Sequence, residues 1–308
     1  MFRRVLFPTD LSAYAKAVFN CLPELSAVGM RQVVLLGIIH QDQVISGSTV
    51  DSDRLDRLRW EAEQELLIAQ EALAGHGFEV KTRLEVGLPA TEIVRVALEE
   101  HVHLITMGAQ GKSLVRELLL GSVAQEVLHH APVPVLIQKF EVVRQLGTVQ
   151  CRRMCDRLFQ QVLHPTDFSD CADAAFDVVK RLKEAGTEEV ILLHVQDERA
   201  MRHRPPEQLV AFDQEDAGRL EQMRRLLALK GLSSRALLRH GIPFVETLKA
   251  AEEQAASLIV MGVRGRSAVA EAVAGSTSEN VVRRSQRPVL VVRRQTAEIE
   301  SRSGIDVG

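Results

Sequence analysis

Val5-Leu6-Phe7-Pro8-Thr9-Asp10-Leu11-Ser12, VLFPTDLS, returns at Val162–Ser169 as VLHPTDFS, with six of the eight positions identical. A second stretch, GAQGKSLVRELLLGS from Gly108 to Ser122, returns as GVRGRSAVAEAVAGS from Gly262 to Ser276. Its three glycines and final serine keep their places. Between these blocks Gly87-Leu88-Pro89 matches Gly241-Ile242-Pro243. The offset is 157 for the first pair and 154 for the others. A near-constant offset of this size marks a duplicated domain, and it is too long for a solenoid repeat. Each copy is therefore expected to hold its own core.

Within each copy, short apolar runs alternate with amphipathic stretches. RRVLFP, QVVLLGII, EVKTRLEV, HLITMG and VPVLIQ read as strands in the first half. Helical spacing separates them: Ser12 to Val28, Asp53 to Leu73, Pro89 to Glu100 and Ser122 to His130. VLHP, EEVILLHV, SRALLRH, SLIVMG and PVLVVRR repeat the strand order, with helices that include Pro206 to Lys230 and Pro243 to Ala256. A β-α-β-α order with short links predicts a parallel, doubly wound α/β sheet of five strands in each half. The domains are expected at 1–140 and 159–296. A linker at 141–158, whose QLGTVQCRRMCDRLF reads as a short helix, joins them. Residues 297–308 read as a polar tail.

Composition bounds the function. Hydrophobic residues make up 46% and charged residues 26%, with a formal charge of -3. That balance fits a globular chain and gives no support to nucleic-acid or membrane-surface partners. No apolar run has the length of a membrane span, and MFRRVLFPTD lacks the apolar region of a signal peptide. Cytoplasmic location is the expectation. Cys151 and Cys155 lack a matching second Cys or His pair, so zinc is not expected and the thiols read as reduced. His164 stands where the first half has Phe7, and it reads as core or rim.

The glycine stretch raises the question of chemistry. Gly111-Lys112-Ser113 resembles the end of a phosphate-binding P-loop, but G-x4-G-K-[ST] would need glycine where Thr106 stands. The second copy has Gly265-Arg266-Ser267, so that reading fails in both halves. The spacing G-x2-G-x9-G-S has a different logic. Gly108 and Gly111 let the chain turn and approach a ligand closely. Gly121 and Ser122 open a helix, with Ser122 and Gln125, like Ser276 and Glu279, at capping-box spacing. Backbone N–H groups at such a helix start form an anion pocket. Asp10 and Asp167 end the first strand of each half. With strand order 3-2-1-4-5 they lie beside the glycine loop, where the winding reverses and ligands bind. Capping of the next helix is the rival role for each aspartate, and Ser12 and Ser169 compete for it.

These motifs in two copies resemble the universal stress protein family over nearly the whole chain. The resemblance implies two tandem Rossmann-like domains of the adenine nucleotide alpha hydrolase-like kind. It also implies an adenine nucleotide as cofactor: ATP, with or without magnesium, or AMP or ADP. By that resemblance Gly111, Gly121, Ser122 and Val123 contact phosphates, Gly108 lies near the ribose, Asp10 near ribose or adenine, and Ile39 beside the adenine. The second-half counterparts are Gly265, Gly275, Ser276 and Thr277, then Gly262, Asp167 and Val195. Pairing of the two halves through their last strands into a pseudo-dimer is implied, with a homodimer and an unnamed protein partner left open. The expected function is a nucleotide-binding stress-response or signalling module. A slow ATPase or phosphotransferase and a scaffold without nucleotide are the alternatives.

Overall fold

The computed structural model describes residues 1–10, 13–46, 49–109, 120–145, 148–153, 157–202, 205–265 and 274–294. Contacts divide the chain into two compact units, Met1–Arg153 and Met154–Arg294. The first unit runs β1 (Arg4–Thr9), α1 (Ala13–Phe19), β2 (Gln32–His40), β3 (Ile45–Ser46), β4 (Thr49–Val50) and α2 (Ser52–Gly75). It continues with β5 (Glu79–Gly87), α3 (Pro89–Glu99), β6 (Leu104–Gly108), α4 (Ser122–His130), β7 (Val135–Gln138), β8 (Phe140–Gln145) and β9 (Thr148–Arg153). Its main sheet has the order β5-β2-β1-β6-β7, with every pair parallel. In sequence order of the five strands that is 3-2-1-4-5. The winding reverses between β1 and β6.

The second unit repeats the plan. It contains β10 (Gln161–Thr166), α5 (Asp170–Val179), β11 (Glu189–Asp197), α6 (Glu198–Met201) and α7 (Pro206–Leu229). Then follow β12 (Ser233–Gly241), α8 (Pro243–Glu253), β13 (Leu258–Gly262), α9 (Ser276–Arg284) and β14 (Val289–Val292). Strand order is β12-β11-β10-β13-β14, again all parallel. The change of offset from 157 to 154 has a location. Eleven residues separate β2 from α2, and eight separate β11 from α7. The first half fills the longer link with the β3–β4 hairpin, and the second fills the shorter one with α6.

Helices cover both sheet faces, so the inner strands bury nearly every side chain, as parallel sheets require. Val33 to Leu36 of β2 and Leu104 to Met107 of β6 are buried throughout. α3 turns Ile93, Val96 and Ala97 inward at helical spacing. The outer strand β5 is held by charge instead. Arg83 pairs with Glu85 at 2.6 Å and Glu100 at 2.7 Å, and Arg95 reaches Glu85 and Glu92, each at 2.6 Å. Charge on an edge strand also discourages stray strand pairing.

Two expectations fail locally. The helix expected from Ser12 to Val28 stops at Phe19, and Leu22–Val28 winds as a 3-10 helix with proline in its first turn. Pro23 offers no N–H and crowds the turn before it, so the α-helix cannot run through. Ser12 itself lies outside the described residues. Among its described residues the linker is not helical. β8 and β9 form an antiparallel hairpin, Val142 opposite Cys151 and Arg144 opposite Val149. Its β-branched residues, Val142, Val143, Thr148 and Val149, suit a pleated strand better than a helix. Cys155 and the tail at 297–308 lie outside the described residues.

Candidate functional site

The second half shows how the ends of β10 and β13 are built into one crevice. Beyond Thr166 the chain turns sharply, and Phe168 takes a left-handed φ of 57 degrees. Three short bonds hold this turn. Thr166 Oγ1 accepts from the Phe168 amide at 3.0 Å, and Asp167 Oδ1 accepts from the Ser169 amide at 3.1 Å. Ser169 Oγ accepts from the Ala172 amide at 3.3 Å and so caps α5. In this half serine takes the cap, and Asp167 braces the turn. The same Ser169 hydroxyl donates to Arg264 O at 3.3 Å, which ties the turn to the glycine loop.

The glycines of that loop have different duties. A Cβ on Gly262 would lie 2.7 Å from Cys171 C and 2.8 Å from Ala172 N, both backbone atoms of α5. Gly262 therefore lets β13 end directly against the start of a helix. A Cβ on Gly265 would run into the Asp167 carboxylate. Asp167 and Gly265 thus face each other across the crevice between β10 and β13. At the far end of the loop, the Gly275 amide donates to Val263 O at 2.8 Å, and the Val263 amide donates to Val292 O at 2.8 Å. Ser278 Oγ folds back onto Val263 O at 2.6 Å.

Both loops lead into helices of the same design. The Gly121 amide donates to Ala109 O at 2.8 Å, and the Ala109 amide donates to Gln138 O at 3.2 Å. Gly121 and Gly275 are the N-cap residues, extended at φ -66, ψ 152 and φ -69, ψ 149, and neither α4 nor α9 has a side-chain cap. This corrects the capping-box expectation. Ser122 and Ser276 occupy the first helical position, one residue too late to cap. Glu279 turns instead to Arg283 at 2.9 Å. A helix opened by glycine presents its first amides with no hydroxyl or carboxylate of a capping residue across them. Ser122, Val123, Ser276 and Thr277 carry those amides, at the positive end of each helix dipole.

A basic residue follows the last strand of each half. Burial pushes the Lys139 ammonium, just after β7, down to about 8. Arg293, just after β14, sits below the usual arginine range because of burial and then because Arg264 lies beside it. In the first half Gly108 ends β6, and Asp10 follows β1, half-buried. Gln110, Gly111 and Lys112, like Arg266, lie outside the described residues.

Strand register corrects one pairing of site residues. Arg4 is level with Gln32 and Gln161 with Glu189, so Val195 corresponds to Ile38, and Ile39 corresponds to Gln196. A slip of one residue moves a side chain to the other face of a strand. Ile39 and Gln196 are buried, whereas Ile38 and Val195 are only partly covered. Ile38, rather than Ile39, is the first-half equivalent of Val195.

A polar cluster in the second half was not anticipated. His194 Nδ1 lies 2.7 Å from Thr166 O, and its Nε2 lies 3.2 Å from Asp216 Oδ2. Gln196 Nε2 donates to Asp216 Oδ2 at 2.9 Å. The Phe168 ring rests against His194 at 4.6 Å, and the Arg219 guanidinium covers it at 4.1 Å. By register, Gly37 and Ile39 hold the positions of His194 and Gln196 in the first half. The two crevices therefore have different neighbours on the second-strand side. The signal available in the sequence was this swap of Gly and Ile for His and Gln.

His164 lies in the core. Its Nδ1 bonds Val260 O at 2.8 Å, and its ring stacks on Phe176 at 5.7 Å. Phe7 and Phe19 make the equivalent contact at 6.4 Å in the first half. Burial pushes the His164 imidazole down to about 4. Among the described residues, no three His, Cys, Asp or Glu side chains are grouped to hold a metal ion. Among them, too, no helix is long and apolar enough to cross a membrane.

With this geometry established, comparison with known proteins is consistent. The model of the Universal stress protein family matches residues 1–139 and 158–293. Universal stress protein MJ0577 of Methanocaldococcus jannaschii is 33% identical over 159 residues, 46% of this chain and 98% of that protein. Universal stress protein Sll1654 of Synechocystis is 32% identical over 138 residues, 44% of this chain and 85% of that protein. The crystal structure of a universal stress protein from Archaeoglobus fulgidus is 30% identical with a TM-score of 0.72, covering 94% of this chain and 96% of that one.

Proposed function

Because the chain belongs to the universal stress protein family, we propose that it is a cytoplasmic nucleotide-binding module of stress response or signalling, with ATP as the ligand of each half. The observation that carries this reading is the pair of glycine-opened helix mouths, α4 and α9, each following a strand that lies beside the one leading to Asp10 or Asp167. A helix start of this kind suits a phosphate, and a carboxylate at the same crevice suits a sugar hydroxyl or a base amine. Gly121, Ser122 and Val123 would hold phosphates in the first half, with Gly275, Ser276 and Thr277 in the second. Asp10 and Asp167 would orient the nucleoside. Occupancy regulates a partner only if the ligand binds one conformation better than another, which makes this a population-shift device.

The test is direct. Protein purified without added nucleotide is denatured, and the released small molecules are identified by mass spectrometry. Adenine nucleotide is the expected product, and calorimetry then gives the affinity for ATP. Gly121→Val with Gly275→Val is expected to weaken ATP binding roughly 10- to 100-fold, the effect of losing a charge-assisted hydrogen bond. A Cβ at Gly275 finds its nearest neighbours at 3.4 Å or beyond, so the fold tolerates the first added carbon. Absence of released nucleotide, together with unchanged calorimetry in the double variant, would reject the reading. Incubation with ATP and magnesium, followed by phosphate release, separates a nucleotide holder from a slow hydrolase.

A further inference from the structure

Two helices carry apolar residues on the side facing away from their own core. On α2, Trp60 is 64% exposed and Ile68 68%, with Leu67 also exposed. Buried Leu66 and Leu73 mark the opposite side of the helix. Trp60, Gln64, Leu67, Ile68 and Glu71 therefore form one outward stripe at helical spacing. On α7, Leu229 is 82% exposed and Leu226 is exposed beside it, opposite buried Leu220 and Leu227. Adjacent large apolar residues at this exposure mark a contact surface more often than a lone exposed leucine does.

Arg57 and Arg59 precede Trp60, but beyond it the charge on α2 is opposite in sign to that of the end of α7. From Trp60 to Gly75, α2 carries Glu61, Glu63, Glu65 and Glu71 and no lysine or arginine. From Leu220 onward, α7 and its cap carry Arg224, Arg225 and Lys230 against Glu221 alone. Arg224 and Arg225 share that one glutamate, at 2.8 and 3.6 Å. Two α2 stripes meeting each other would set glutamate against glutamate, which disfavours that pairing.

We propose that the α2 stripe of one copy docks on the C-terminal half of α7 of a second copy. Trp60 and Ile68 meet Leu226 and Leu229, and the glutamates meet Arg225 and Lys230. Each copy has one face of each kind, so the contact is head-to-tail and repeats from copy to copy. The proposal does not depend on nucleotide.

The chain reports on this contact by itself, because Trp60 is its one tryptophan. Sedimentation velocity at low ionic strength is expected to show concentration-dependent association, with a blue shift of tryptophan emission as it forms. Both recede at high salt. Reversing α2 by Glu61→Lys, Glu63→Lys and Glu65→Lys is expected to weaken association at least about tenfold, as is reversing α7 by Arg225→Glu and Lys230→Glu. Both sets in one chain restore complementarity and association. All these positions are exposed, and circular dichroism checks that each variant folds. A wild type that stays monomeric would overturn the proposal. So would association that survives either reversal, or a combined variant that does not recover.

Discussion

Gly262→Ala is expected to destabilise the second half by about 2–3 kcal/mol, the cost of forcing a methyl into a filled space. The added carbon would lie 2.7–2.8 Å from the C and O of Cys171 and the N of Ala172. These are backbone atoms at the start of α5, so no side-chain rotation makes room. Either β13 withdraws from the helix or the first turn of α5 opens. Gly275→Ala is the control, since its new carbon meets neighbours only at ordinary contact distance. Its effect on stability is expected to stay within about 0.5 kcal/mol. Urea titration followed by circular dichroism measures both. Equal stability of the two variants would mean that the strand end does not press on the helix as described.

Lowering the pH is expected to weaken the second half through His164 by on the order of 3 kcal/mol. Burial holds this imidazole at about 4 against an ordinary value of 6.5. Between those two values the unfolded chain binds a proton that the folded chain refuses. Stability from this group is therefore complete above about pH 6.5 and declines as the pH falls towards 4, below which both states are protonated. His164→Phe removes the titration and installs the residue that Phe7 provides in the first half, where it packs on Phe19. Unfolding measured at several pH values is expected to show a shallower acid slope in the variant. An unchanged slope would place the acid sensitivity elsewhere.

The architecture was legible because duplication printed it twice. A repeated VL-x-PTD and a repeated glycine triplet bracket the same alternation of strand and helix, and the parallel order follows. What stayed hidden was decided by contacts between distant segments. G-x2-G-x9-G says nothing of Cys171, yet that backbone explains why Gly262 lacks a side chain. Capping rules favour Ser122 and Ser276, but the helices begin one residue earlier than a serine cap would need, with Gly121 and Gly275 at the cap. Ile39 and Val195 stand 156 apart, one short of the 157 that relates the two second strands, so matching them slips the register by one. The linker's QLGTVQCRRMCDRLF reads as a helix from its apolar share, which outweighs the β-branched residues in it. The cluster of His194, Gln196 and Asp216 joins a strand to a helix, and only the fold brings them together.

Ser169 does two jobs with one oxygen: it receives the Ala172 amide and donates to Arg264 O. The loop and the first turn of α5 are therefore yoked together. A ligand that pulled Arg264 away would strip the helix of its cap, and one that pressed it closer would clamp both. Through that single hydroxyl, a displacement of the Arg264 carbonyl in the crevice would change how firmly the first turn of α5 is wound.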